Sequence, residues 1–424
     1  MKTYLSVLGN TDYRRLWLGA VISLVGDGAS WIAMSWIAVT TGGAGSLTVL
    51  GLCYFAPIIV GGLLAGKIVD QFSRRLLLVV DSLFRGVVMM SIPLLAAFDR
   101  LSLWHLYVVA IVYGLLKILP TGIIPAVIPD LVPAHHLNTA IALEAVATGA
   151  AGLFGPMVGG ALIPLVGAHQ VLALDAASYF AFAFAVLGMR TRLGRPSTPE
   201  GAQDAARRTA WRPVVTFIWR DRVMLVITVA FTLFNIAIGM LTVTQPWLAH
   251  DRLPGGARML GVLVGVFACA EMAGSLIAGA IRPAVRPMLR IGVLQLVSGC
   301  GLLLLLGQQP ALVLVGQVIC GVPAAVLVVS SQAIRYARTP EELRGRTMTL
   351  MRTLMLSALP VGSVIAGPLL DSGDYTAMVL VMALLAAVPG LLSVLFVRNE
   401  VVNERLPRKV AEPGVREPQP EEAA

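Results

Sequence analysis

Long apolar runs separated by short polar gaps divide this chain of 424 residues. Twelve runs stand out, at 16–40, 46–69, 76–97, 103–128, 139–166, 170–189, 223–248, 259–281, 289–307, 311–331, 347–370 and 376–397. Each is long enough to cross a hydrocarbon core of ~30 Å as a helix. Short strands of alternating polarity, the mark of a membrane barrel, are missing from the pattern. The runs are rich in Gly and Ala, which let helices approach closely where no hydrophobic drive acts between them. The pattern predicts an all-α integral membrane protein of twelve transmembrane helices. The longest polar gap, 190–222, splits them six and six. The expected organisation is an N-terminal six-helix bundle (1–189), a cytoplasmic linker (190–222), a C-terminal six-helix bundle (223–397) and a disordered cytoplasmic tail (398–424) rich in Pro, Glu and Arg.

Composition agrees with a lipid solvent. The chain is 57% hydrophobic and 13% charged, and its mean hydropathy is +0.82. Soluble domains carry about 25% charged residues. The net charge of +9 invites a nucleic-acid reading, but the placement of the charges excludes it. With the N-terminus inside, 26 of the 32 Lys and Arg residues fall on the inner side. Three (Arg100, Arg252, Arg258) fall outside, and three (Arg85, Lys117, Arg352) lie within spans. The positive-inside rule then puts both termini in the cytoplasm. Cys53, Cys269, Cys300 and Cys320 are scattered through apolar runs without a C-x-x-C pair, so they read as small core residues. No cleavable signal peptide is visible before the first span.

The segment GGLLAGKIVDQFSRR, from Gly61 to Arg75, concentrates charge at the inner end of span 2. Gly61, Gly66 and Lys67 match the start of a phosphate-binding loop. That match fails because Ile68 occupies the Ser/Thr position that reaches magnesium, and because a spanning helix, not a strand, precedes it. Lys67, Arg74 and Arg75 serve topology, whereas Asp70 is not required by it. The two halves also echo each other. AGKIVDQFSRR from Ala65 is answered by AGAIRPAVRPMLR from Ala278. The loops after spans 4 and 10 align Leu137 with Leu343. Two six-helix halves of parallel orientation form a transporter layout.

These features resemble the major facilitator superfamily along the whole chain. The loop signature G-x-x-x-D-x-x-x-R-R stands as Gly66, Asp70, Arg74 and Arg75, with Gln71 and Ser73 departing from the family pattern. The span 5 signature of antiporters, G-P-x-x-G-G, is intact as Gly155, Pro156, Gly159 and Gly160, with Ala151 and Ala142 preceding it. TDYRRLWLGAVISLVGD, and LDAASYF in span 6, are similar to the macrolide-efflux and enterobactin-exporter branch of drug:proton antiporters. The resemblance implies alternating access. It implies an inner gate in which Asp70 meets the start of span 11, and a central cavity lined by spans 1, 4, 7 and 10 with 2, 5, 8 and 11 beside them. Pro156 and its glycines supply either a kink or close packing of span 5.

A proton-coupled carrier needs an ionisable group in a span, and such groups are costly enough there to mark function. Candidates are Asp27 in span 1, Glu271 in span 8, Lys117 in span 4, Arg352 in span 11 and Glu144 in span 5. Asp27 and Glu271 lie in opposite halves. Either they exchange protons, or Lys117 and Arg352 pair with them as structural bridges. Asp175, near the outer end of span 6 on the expected periphery, reads as structural, as does Arg85 with Asp81 one turn away. Trp31, Tyr113, Phe234 and Asn235 are the expected cavity residues. His135 and His136 have no third ligand nearby, so no metal or other cofactor is expected.

The expected function is secondary-active export of an amphiphilic small molecule, such as a drug, antibiotic or siderophore, by proton antiport. The expected partners are that substrate, protons and the lipid bilayer, with no nucleic acid, and the protein is expected to act as a monomer in the plasma or bacterial inner membrane. An uptake symporter or facilitator of the same fold is the alternative, disfavoured by the span 5 signature. A membrane-embedded enzyme lacks the long catalytic loops it would need. A channel does not fit the twelve-span layout, and an ATP-driven pump would carry a soluble nucleotide domain.

Overall fold

The computed structural model describes residues 2–191, 212–281 and 286–396, with side chains at 2–5, 63–67, 70, 341–342 and 395–396 outside the description. Most of the linker and the whole tail therefore fall outside it, as do the surroundings of Gly66 and Asp70. Every regular element among the described residues is helical. Eleven helices are long and apolar enough to cross a membrane. The first, Thr11–Gln71, has 61 residues. At 1.5 Å per residue that is about 90 Å, three times the hydrocarbon thickness. It bends at Gly42 and Gly43, where Gly43 takes φ 65°, ψ −155°, a conformation open to glycine but strained for other residues. The bend turns one continuous helix into spans 1 and 2, so the described helices provide twelve crossings.

Span 3 is Arg74–Ala97, span 5 Leu137–Val166 and span 6 Ala168–Leu187. Spans 7 to 10 are Arg222–Asp251, Ala257–Ala280, Pro287–Leu303 and Pro310–Arg338, and span 12 is Tyr375–Phe396. Spans 4 and 11 are each interrupted. Span 4 runs as Leu103–Leu116 and Ile118–Leu131, and span 11 as Glu341–Leu356 and Ala358–Asp371. The breaks at Lys117 and Ser357 each stand three residues before a proline, Pro120 and Pro360. A proline withholds the hydrogen bond to the carbonyl four residues back, which loosens the helix there. Side chains cap several ends. Asn10 accepts from the backbone of Asp12 and Tyr13, each at 3.0 Å. Asp221 accepts from Val223 at 2.9 Å and Met224 at 3.1 Å. Ser73, which departs from the loop signature, accepts from Leu76 N at 3.3 Å and starts span 3. The end of the linker is structured: Arg212–Arg220 is a helix that buries Val214 and Ile218 against the C-terminal half.

Helix pairing repeats with an offset of six. Spans 3 and 6 pack together, as do spans 9 and 12. The bent helix of spans 1 and 2 packs on spans 4, 5 and 6, while in the second half span 8 packs on 10, and span 7 on 11 and 12. This is the arrangement expected of two six-helix bundles related by an axis along the membrane normal. The halves meet through span 5 with span 8 and through spans 1 and 2 with spans 7 and 11.

These inter-half contacts sit away from the side that bears the N-terminal helix Lys2–Gly9, here termed the basic side. A methyl group on Gly160 would come within 2.6 Å of Gly261 Cα, and one on Gly51 within 2.8 Å of Ser363 Oγ. Gly45 N donates to Asp371 Oδ1 at 3.2 Å, and the Trp36 ring lies 5.6 Å from that of His250. On the basic side, Glu341–Leu356 packs on span 7, span 10 and the linker helix, and Ile118–Leu131 packs within its own half. The halves are thus closed at the far side and parted at the basic side.

Because backbone approach sets this closure, Gly160→Val is expected to insert normally but to lower transport at least roughly tenfold, since an overpacked contact costs ~1–3 kcal/mol. Gly152→Val, about two turns away along the same span with no atom within 4 Å of the added carbon, is expected to transport normally. Size-exclusion profiles of both variants, read beside transport in vesicles, check the contrast.

Candidate functional site

Four spans of the N-terminal half each carry two polar or aromatic residues four positions apart: Asp27 and Trp31, Asp81 and Arg85, Tyr113 and Lys117, Asp175 and Tyr179. That spacing places both members of a pair on one helical face. In the folded chain these faces converge. Arg85 donates to the Asp81 carboxylate and, at 3.3 Å, to the Tyr179 hydroxyl. Tyr179 in turn donates to Asp27 Oδ1. Asp175 accepts from Ser30 Oγ at 2.5 Å and from Ser178 Oγ at 3.1 Å. Lys117 donates to the Tyr54 hydroxyl at 2.5 Å.

Aromatic rings wall this network. The Arg85 guanidinium lies 4.7 Å from the Tyr179 ring centroid and 6.0 Å from that of Tyr113. Lys117 Nζ lies 5.1 Å from Tyr54 and 5.7 Å from Tyr113. Tyr54 stacks on Tyr113 at 5.5 Å, and Trp31 meets Tyr54 at 4.7 Å and Phe55 at 5.5 Å. The faces of these rings hold cations in a setting with little water. Asp81, Arg85, Asp175 and Tyr179 are buried, and Asp27 is half-buried. The Tyr113 hydroxyl and Asp81 Oδ1 are buried with no partner among the described residues.

The set holds three carboxylates (Asp27, Asp81, Asp175) and two cations (Arg85, Lys117). Fully ionised, it carries one net negative charge. Uncompensated charge in a low-dielectric interior costs several kcal/mol. One proton, or one cationic group of a ligand, balances it.

Two expectations change here. Asp175 is not peripheral: it is buried against span 1, so close that a methyl group on Gly26 would meet its Oδ1 at 2.2 Å. Sequence position alone concealed this, because Gly26 leaves the gap that admits the carboxylate. Lys117 bonds to Tyr54 rather than bridging to Asp27. The Asp27 carboxylate instead reaches Arg85 through Tyr179, which the sequence offers within LDAASYF at i, i+4 from Asp175 but not as a site residue.

The remaining candidates are dispersed. Glu271 is exposed on span 8, with no hydrogen bond or ion pair among the described residues. Span 8 meets span 5 through Gly261 and Gly265, and span 10 through Ala270 and Gly274. At about 100° per residue, Glu271 falls on the arc between those two faces, opposite the lipid-facing side marked by Val262 and Leu276. It therefore faces the space between the halves, beside Cys320 of span 10. Arg352 is exposed on the basic-side half of span 11, with no ion pair to Glu271. Glu144 sits lower on span 5, where Thr148 Oγ1 donates to it at 3.3 Å, beside Tyr13 and Trp17 and apart from the network. Phe234 is buried, and Asn235 donates to the Phe231 carbonyl at 2.8 Å.

The signature segments are built into the packing. A methyl group on Gly155 would come within 2.9 Å of Gly28 Cα, and one on Gly159 within 2.8 Å of Ala29 Cα. With Gly160 against Gly261, span 5 is wedged between span 1 and span 8. Its helix continues unbroken past Pro156. Arg74 donates to the Ala126 carbonyl and to Asp130, both at 3.1 Å, and Arg75 donates to the Leu187 carbonyl at 2.5 Å. Both arginines thus clamp the C-terminal ends of spans 4 and 6, where the helix dipole favours cations.

Similarity to known proteins agrees with this architecture. The model of the transmembrane secretion effector family matches residues 2–420. The chain is 25% identical over 400 residues to the multidrug efflux pump Tap of Mycobacterium tuberculosis, covering 88% of this chain and 90% of that protein. It is 23% identical over 266 residues to the staphyloferrin A transporter of Staphylococcus aureus, covering 62% and 64% of the two. In fold it is similar to the nucleoside transporter NupG, with a TM-score of 0.71 at 11% identity over 90% of this chain and 98% of that one. A bacterial homologue of the iron transporter ferroportin in an inward-facing state gives 0.66 at 17% identity, covering 90% and 98%. The chain is a membrane transporter rather than an enzyme, and it belongs to the transmembrane secretion effector family of the major facilitator superfamily.

Proposed function

We propose that the protein exports amphiphilic small molecules across the cell membrane by alternating access, in exchange for protons, acting as a monomer with both termini in the cytoplasm. The one-carboxylate excess of the buried network carries this reading. Sealing the halves over an uncompensated charge is unfavourable, so closure requires either a proton or a cationic substrate at the network. Because one neutralising charge suffices, binding of one favours loss of the other. That is an exchange cycle.

The state described is parted on the basic side, which the positive-inside rule assigns to the cytoplasm. Here Asp27, the half-buried carboxylate, accepts the Tyr179 hydroxyl and is the point at which a proton leaves and a substrate cation arrives. Trp31, Tyr54 and Tyr113 offer ring faces to the apolar and cationic parts of such a substrate. Glu271 supplies a carboxylate from the opposite wall. In the opposite state the Asp371–Gly45 contact breaks, Asp70 engages the start of span 11, and a proton from outside displaces the substrate. The Tap and staphyloferrin A names support drug-like or siderophore-like cargo.

In proteoliposomes with an imposed proton gradient, Asp27→Asn and Asp175→Asn are each expected to lower gradient-driven accumulation of an amphiphilic cation at least roughly tenfold. Glu271→Gln is expected to weaken uptake of cationic more than neutral substrates. Full coupled transport in both Asp27→Asn and Glu271→Gln would overturn the coupling assignment.

Asp371→Ala removes the acceptor that joins span 11 to the start of span 2. On a cysteine-free background carrying Thr48→Cys, at the neighbouring contact with Gly367, it is expected to raise the rate of labelling by an impermeant maleimide from outside several-fold, about what loss of ~1 kcal/mol from the closed state gives. An unchanged rate would show that this contact does not hold the far side shut.

A further inference from the structure

One face of span 11 is directed at span 2 along its whole length. In the far half, Ser363, Gly367 and Asp371 meet Gly51, Thr48 and Gly45 of span 2. A step of four residues along span 11 answers one of three along span 2, so the two helices run antiparallel in a definite register. In the basic-side half, Glu341–Leu356, Thr347, Met351 and Met355 are buried, and Leu343 and Leu350 pack with those methionines in one cluster of the C-terminal half. Gly345, Thr349 and Arg352 lie on the opposite side of the helix and are exposed. At 100° per residue, Arg352 shares the face of Ser363, eleven residues on, to within about 20°. The exposed arc therefore continues the face that meets span 2. Because the halves are parted on the basic side, it borders the space between them.

Among the described side chains from 343 to 356, Arg352 is the one charged group on that arc. It stands about 16 Å inside the basic-side end of span 11, along the helix axis. It makes no hydrogen bond or ion pair among the described residues. Thr349 Oγ1, its polar neighbour on the arc, donates to the Gly345 carbonyl at 2.9 Å, within the same helix. A cation at membrane depth is costly, so it faces water or an anion. The protein offers no anion at that level. Span 2 has no acidic residue from 41 to 69, and its stretch FAPIIVGG, from Phe55 to Gly62, is apolar. The antiparallel register sets Asp70 level with Gly345, about 10 Å along the axis from the level of Arg352. Glu341 and Glu342 stand at the end of the span, about 15 Å away along the axis.

We propose that Arg352 is the anion subsite of the substrate cavity, and that the cargo is an amphiphile bearing a carboxylate as well as a cationic group. This rests on the proposal that the protein is an exporter open to the cytoplasm, and it names the class of cargo. The cationic group goes to Asp27 and the aromatic wall. The carboxylate takes both arms of the Arg352 guanidinium. The apolar body lies along span 2 between Phe55 and Gly62. The charges then balance: the N-terminal network lacks one positive charge, Arg352 lacks one negative charge, and a zwitterion supplies both.

Binding of two dyes to the full-length protein, followed by fluorescence polarisation, tests this. Rhodamine B carries a free carboxylate and is a zwitterion; its methyl ester is a cation on the same ring system. In nanodiscs of phosphatidylcholine, where no anionic lipid competes, the unaltered protein is expected to bind rhodamine B at least roughly fivefold more tightly than the ester. Arg352→Gln is expected to bring the acid down to the affinity of the ester and to leave the ester unchanged. Arg352→Lys keeps the charge but not the fork, and is expected to retain part of the preference. Should Arg352→Gln fail to fold, the acid-to-ester ratios of the unaltered protein and of Arg352→Lys still decide. Equal affinity for the two dyes, binding of neither, or a preference that survives Arg352→Gln would overturn the proposal. So would loss of the preference when phosphatidylglycerol replaces part of the phosphatidylcholine, since the guanidinium would then belong to a lipid headgroup. The measurement is made at equilibrium without a gradient. Absence of gradient-driven export with the preference intact would therefore sink the exporter proposal and leave the anion subsite standing.

Discussion

Helices in lipid gain nothing by hiding carbon from their solvent, since the solvent is carbon too. They associate where backbones approach closely enough for dispersion and a few polar bonds to hold them. This constraint organises the whole protein. Within each half, Gly61 lies against the Leu115 carbonyl and Gly239 against that of Leu359, and between halves Gly160 lies against Gly261. The same small-residue chemistry thus builds both the permanent contacts and the separable ones. What separates them is extent. Spans 3 and 6, or 9 and 12, pack along their length, while spans 5 and 8 touch through their far ends and diverge toward the basic side.

The polar network follows from the same scarcity of alternatives. A charge inside the N-terminal half has no water to fall back on, so it finds a partner or a proton. Arg85 is held by Asp81 and by Tyr179, and Lys117 by Tyr54 and two ring faces. The third carboxylate leaves the sum uneven. An uneven sum would be a defect in a static structure; in a carrier it makes the energy of closure depend on what is bound. The C-terminal half carries no comparable cluster among its described hydrogen bonds. Its buried polar contacts include the neutral pair Gln245 and Gln317 at 3.3 Å and the cation Arg335, whose Nε donates to the Ser331 carbonyl at 3.3 Å. The two bundles share a fold and divide the chemistry, with Glu271 as the isolated carboxylate that the second half presents to the first.

Twelve crossings and their near-boundaries were legible in the chain, because hydropathy is a local property that a bilayer reads residue by residue. The bend at Gly42 and Gly43 matched the gap between the first two runs, and the resemblance in the span 5 signature pointed to a segment that proves to be the wedge between spans 1 and 8. Legibility ended where two helices must be combined. Asp175 looked peripheral because its own span is, yet the absent side chain of Gly26 brings span 1 onto it. Lys117 looked like a partner for Asp27 because both are ionisable, yet the nearest acceptor proved to be the Tyr54 hydroxyl. Ser73 looked like an imperfection in a loop signature, and it caps span 3.

The sequence by itself determined that this is a helical membrane protein of two repeated halves, which ends are basic, and which few ionisable residues lie at membrane depth. Each of those follows from transfer energies along one chain, without reference to any neighbour. Only the tertiary structure decided which of the ionisable residues form a set, that the set is one charge out of balance, and that Glu271 faces the space between the halves and not the lipid. Those are properties of distance and direction between helices. They depend on where glycines permit contact and on the hundred-degree step of each helix, which no single segment can report alone.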